Sequence, residues 1–101
     1  MKSQNLIKED FVKDYIRNDD TGAYETLYSI LHNKSETVEQ ICSDLNGKVP
    51  ESKIRYHLRR FVGSNVLLLN TSEKVARYSP MIGLSEKFMQ EFYNMRSFLK
   101  N

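Results

Sequence analysis

Apolar residues recur at helical spacing in five stretches of this chain, and between the fourth and fifth the pattern changes character. Ile7, Phe11 and Tyr15 fall every four residues, with Val12 and Ile16 widening the stripe, which predicts an amphipathic helix over 6–17. Asn18-Asp19-Asp20-Thr21-Gly22 stops it and offers capping side chains to the next helix, whose stripe is Ala23, Leu27, Ile30 and Leu31, to about His32. After the polar break Asn33-Lys34-Ser35, Thr37 and Gln40 have the spacing of a capping box. Val38, Ile41, Cys42 and Leu45 then form the inner face of a third helix, which Asn46-Gly47 ends in a tight turn. Pro50 suits the first turn of a fourth helix, where its missing N–H costs nothing. In that helix Ile54, Leu58, Phe61 and Val62 face inward, and Gly63-Ser64-Asn65 closes it.

The change comes next. Val66 to Leu69 and Val75 to Ser79 read as two short strands around the polar turn Asn70 to Lys74, a β-hairpin without the Asn-Gly or Asp-Gly of the tightest turns. Pro80 to Gly83 is a linker, and Phe88, Phe92, Met95 and Leu99, flanked by Met89 and Phe98, mark a long last helix. The expected fold is mostly α with a small β-hairpin wing, in the order helix, helix, helix, turn, helix, hairpin, helix. At 101 residues this is one domain, 1–101.

Charge is unevenly spread. The net +2 says little, but residues 1–47 carry five basic and nine acidic side chains, and residues 48–80 carry seven basic and two acidic. A positive central third on a neutral or acidic body is the footprint expected of a phosphate-facing surface. It coincides with the fourth helix, where Ser52, Lys53, Arg55 and Tyr56 lie in the first turns and Arg59 and Arg60 further along. In a helix-turn-helix the second helix enters the major groove while the first braces it. Ser52, Lys53, Arg55 and Tyr56 are therefore the expected base readers. Arg59 and Arg60, with Lys74 and Arg77 of the hairpin, are the expected phosphate contacts, because a guanidinium pairs bidentately with guanine edges and phosphate oxygens alike.

Other classes are less well supported. No nucleophile–base pair, phosphate-cradling glycine loop or metal-ligand cluster stands out, so a non-enzyme without cofactor, metal or catalytic residues is expected. The lone Cys42 cannot form an internal disulfide and reads as a small core residue. His57, beside Leu58, reads as a half-buried packing residue, and Asp19-Asp20 as helix caps. Met1 to Tyr15 lacks the apolar core of a signal peptide and no apolar run reaches bilayer length, so a cytoplasmic protein is expected.

Ser52-Lys53-Ile54-Arg55-Tyr56-His57-Leu58-Arg59-Arg60-Phe61, followed by Asn65-Val66-Leu67, resembles the recognition helix and first wing strand of ArsR-type winged-helix regulators. Arg77-Tyr78 is similar to their returning wing strand. The resemblance covers roughly residues 21–80 and implies a winged helix-turn-helix (about 36–63, wing about 66–79) acting as a homodimeric transcriptional regulator or repressor. Here Asn65 replaces the family's glycine, the wing tip has no glycine, and the Cys-x-Cys or C-terminal His/Asp ligands of metal sensors are missing. Asn18-Asp19-Asp20, Ala23-Tyr24 and Leu27 also resemble TubR-type proteins, which implies a centromere-binding adaptor for plasmid or phage partition, partnered by a tubulin-like GTPase. The aromatic stripe of the last helix, about 84–99, looks too wide for so short a chain to cover. The ArsR-type resemblance implies a dimer built from the first and last helices, so the expected interface is Phe11, Tyr15, Phe88, Phe92, Met95 and Leu99. A winged helix that docks an acidic protein through its basic face is the remaining alternative.

Overall fold

The computed structural model describes residues 6–19 and 21–99, with side chains through Met95. Five helices and one hairpin follow in order: α1 Glu9–Arg17, α2 Ala23–Leu31, α3 Val38–Leu45, α4 Glu51–Gly63, β1 Leu67–Asn70, β2 Arg77–Pro80 and α5 Glu86–Leu99. The fold is mostly helical with a two-stranded antiparallel sheet, as the apolar spacing anticipates.

Local chemistry accounts for most boundaries. Thr37 Oγ1 accepts from the Gln40 N–H (3.1 Å), which is half of the anticipated capping box. The other half is displaced by one residue, since Gln40 Oε1 accepts from the N–H of Glu36 rather than of Thr37 (2.7 Å). α3 ends at Asn46, left-handed at φ 54°, and Gly47 continues the turn at φ 82°. Pro50 is the residue before the first turn of α4, not within it, and its extended backbone aims the chain into the helix. Asn65 adopts φ 64°, the left-handed conformation for which asparagine is the usual substitute for glycine. Its side-chain amide also donates to the Leu6 carbonyl (2.8 Å).

α1 starts three residues later than the apolar spacing suggests. Before it, the Lys8 N–H donates to the Ser64 carbonyl (2.9 Å), so the chain is tied to the end of α4 instead of its own helix. Val12 and Ile16, not Phe11 and Tyr15, form the buried centre of α1. The strands also sit one or two residues later than expected, paired Leu67↔Pro80, Leu68↔Ser79, Leu69↔Tyr78 and Asn70↔Arg77. The hairpin connection is long, and Asn70 Oδ1 holds its first turn by accepting from the Ser72 N–H (2.9 Å) and hydroxyl (2.8 Å). A loop of that length needs no glycine at its tip. On the far side of β2, the Tyr78 N–H donates to the Glu36 carbonyl (2.7 Å), joining the hairpin to the start of α3.

The core lies where all five helices meet the base of the hairpin. It includes Val12, Ile16, Leu27, Ile30, Ile41, Ile54, Leu58, Phe61, Leu67, Phe88 and Phe92. The turn between α3 and α4 is anchored there by Val49, whose methyls lie against Gly22. A Cβ on Gly22 would come within 2.5 Å of them, and its φ of 102° disfavours any side chain. That close approach sets where α4 begins.

α5 overturns one expectation. Phe88 and Phe92 are 0% exposed and Met95 3%, all covered by their own chain. Phe92 stacks on Tyr24 of α2 at 4.7 Å, and Phe88 lies in the same stack. α5 is fastened to α1 at its start by Glu9, whose carboxylate accepts from the Ser85 N–H and hydroxyl (both 2.9 Å), and further on by the Lys13–Glu91 ion pair. Folded back in this way, α5 fills the monomer core, so Phe88, Phe92 and Met95 have no surface left for a partner. The side chain of Leu99 lies outside the described residues. Among the described residues no helix is long and apolar enough to cross a membrane.

Candidate nucleic-acid interface

α4 has two unlike faces. Ile54, His57, Leu58 and Phe61 are all 0% exposed, the spacing of an inward line. Ser52, Tyr56, Arg59 and Gly63 lie opposite, with Arg55 on one flank and Lys53 and Arg60 on the other, and all are exposed. No hydrophobic group of α4 is held out to solvent except the Tyr56 ring, 44% exposed, which carries its own hydroxyl.

The inward line is not purely apolar. Tyr15 Oη donates to His57 Nδ1 (2.6 Å), which leaves the Nε2 proton to donate to the Thr21 carbonyl (3.2 Å). His57 is thus fully buried, not half-buried, and it ties α4 to α1 and to the α1–α2 connection. Burial pushes the Tyr15 hydroxyl up to about 12. Asp19 Oδ2 stands 3.8 Å from Nε2. Burial alone would raise the Asp19 carboxyl, but donors from the Ala23 N–H and from the Thr21 hydroxyl and N–H outweigh it and hold the group below its ordinary value. Asp19 does cap α2 as the sequence suggests, whereas Asp20 lies outside the described residues.

The expected contact residues divide into two sets. Arg55 is paired with Glu51 (2.8 Å) one turn back. Arg77 is paired with Glu36 (2.8 Å) and Glu73 (3.1 Å), and these partners hold its guanidinium above its ordinary value. Lys53, Arg59, Arg60 and Lys74 have no carboxylate partner among the described residues. Arg60 instead lies over the rings of Phe11 (5.6 Å) and Tyr15 (5.5 Å), which gives both aromatic residues a role within the chain. Phe11 remains 44% exposed and Tyr15 is half-buried, so of the six expected dimer residues these two keep describable surface.

Lys8 was not anticipated as part of this surface. With Phe11, Arg59, Arg60, Gly63 and Ser64 it lines a notch of about 240 Å³ where the start of α1 meets the end of α4. Nothing in the local sequence marks it, because the tie from Lys8 to Ser64 spans most of the folded chain. Cys42 is half-buried, and burial pushes its thiol up, away from the reactive thiolate. Among the described residues no group of three or more His, Cys, Asp or Glu side chains is placed to hold a metal ion.

No protein-family model, curated protein or solved structure matches the chain.

Proposed function

We propose that the chain is a winged helix-turn-helix protein that binds double-stranded DNA and regulates transcription. In this reading α3 braces α4, α4 enters the major groove, and the β1–β2 hairpin is the wing. The observation that carries it is the division of α4 into a fully buried inward line and an exposed face bearing Ser52, Lys53, Arg55, Tyr56, Arg59 and Arg60. A helix committed to the core on one side, yet held without apolar cover on the other, is what groove insertion demands.

Ser52, Lys53, Arg55 and Tyr56 are the proposed base readers, with Arg55 exchanging an exposed pair of small value for a base edge. Arg59, Arg60 and Lys74 take phosphates. Arg77 is a weaker candidate, because two carboxylates already occupy it. Two copies on a repeated or inverted site complete the proposal. With the α5 stripe inside the protomer, the apolar groups left for pairing include Leu68 (46% exposed) and Ile82 (91%).

The test is a titration of the purified protein against a duplex from its own genetic neighbourhood and a scrambled duplex, each at two salt concentrations. Tighter and salt-sensitive binding to the native duplex is expected. A single-site footprint fits a regulator, and a repeat array fits a partition adaptor. Absence of binding at low salt overturns the proposal and favours a protein-docking role for the same basic face.

A further inference from the structure

Carboxylates answer Lys13 (Asp10 and Glu91), Arg17 (Asp14), Arg55 (Glu51) and Arg77 (Glu36 and Glu73), whereas the other described cations stand without an acidic partner among the described residues. The notch between α1 and α4 gathers three of these unanswered cations. Lys8, Arg59 and Arg60 converge on it, no carboxylate lines it, and none of the three has an acidic partner among the described residues. Three like charges around one small hollow repel each other, and an anion between them relieves that repulsion. Arg60 is already placed there, since its guanidinium rests on the Phe11 and Tyr15 rings and loses little freedom on binding. The hollow is open at Gly63, where an added Cβ would meet nothing within 4 Å. By contrast, the hollow at the other end of α4 sets Lys48 and Lys53 beside Glu25, which weakens its pull on an anion.

We infer that this notch seats a single phosphate of the DNA backbone, with Lys8 and Arg60 converging on it and Arg59 joining it to the outward face of α4. The inference rests on the DNA-binding reading, and it adds Lys8, a residue outside the helix-turn-helix, to the contacts. It also sets the direction of the duplex, whose backbone must pass the C-terminal end of α4 beside the start of α1.

The experiment is the salt dependence of duplex affinity in the full chain. The double variant Lys8→Ala/Arg60→Ala should lower the log–log slope by about 0.9, the value for one phosphate. Lys8→Ala alone should weaken binding several-fold on native and scrambled duplexes alike. Lys87→Ala, an exposed change on α5, should leave both quantities unaltered. A slope change near twice that value for the double variant means two separate contacts and overturns the single seat. Wild-type binding with no change in the double variant overturns the notch while leaving DNA binding intact, and no wild-type binding overturns both. Inorganic phosphate supplies the other arm, followed through the Gly63 and Ser64 amide resonances at constant ionic strength. Saturable binding of phosphate that duplex does not displace would identify a free-anion site and overturn the assignment to DNA.

Discussion

α4 and α5 are helices of similar length, 13 and 14 residues, each with a marked apolar side, yet the fold uses them differently. α5 buries Phe88, Phe92 and Met95 in an apolar seam against its own chain. α4 buries Ile54, Leu58 and Phe61 together with a histidine hydrogen-bonded on both ring nitrogens, and it keeps its opposite face for charge. An apolar stripe says that something must cover it, but not whether the cover is the same chain or a partner. The width of the α5 stripe suggested a second copy, and α1 and α2 supply the cover instead.

Phe92→Ala should have the largest effect. It removes a fully buried ring and should cost about 3–5 kcal/mol of stability by denaturant melting. The loss should be the same at all protein concentrations, and a concentration-dependent midpoint would return α5 to a dimer seam. His57→Phe comes next. It keeps an aromatic ring on α4's underside but leaves the Tyr15 hydroxyl without its acceptor and the Thr21 carbonyl without its donor, at a cost of about 1–3 kcal/mol. Adding Tyr15→Phe should recover part of that loss, and no recovery would mean that the bond contributes nothing.

Asp19→Asn should have a smaller, pH-dependent effect. The folded chain holds this carboxyl below 3.8, so the unfolded chain takes up the proton first as acid is added. The stabilisation is fully present above 3.8 and disappears as pH falls through the lower folded value. Melts between about pH 6 and pH 2 should therefore show a shallower acid loss in the variant than in the parent. Equal slopes would remove Asp19 from the support beneath α4. Arg59→Ala should change stability least, within about 0.5 kcal/mol, because its side chain is exposed and has no ion-pair partner among the described residues. Duplex affinity should fall nonetheless. A large stability loss without an affinity loss would make α4's outer face structural.

Much of this was legible in the chain. Thr37 with Gln40, Asn46-Gly47 and Gly63-Ser64-Asn65 are short-range signals, and each stands at the helix boundary it implied. The exposure of Ser52, Arg55, Tyr56 and Arg59 followed from their spacing against Ile54 and Leu58. The partners of the charges were not legible. Glu36 reaches Arg77 because β2 pairs with the segment before α3, and Lys8 reaches the α4 notch because its backbone joins Ser64. Such pairings join residues far apart in sequence, where periodicity carries no information.

Local spacing and capping chemistry therefore determined the five helices, the hairpin and the two-faced character of α4, since each depends on residues within a few positions of one another. Tertiary structure alone decided that α5 closes the monomer core, that Arg77 is held by carboxylates while Arg59 and Arg60 are not, and that Lys8 joins them. The physical reason is range. A stripe or a cation is a local property, but what covers or neutralises it depends on which distant segment folds to within a few ångströms.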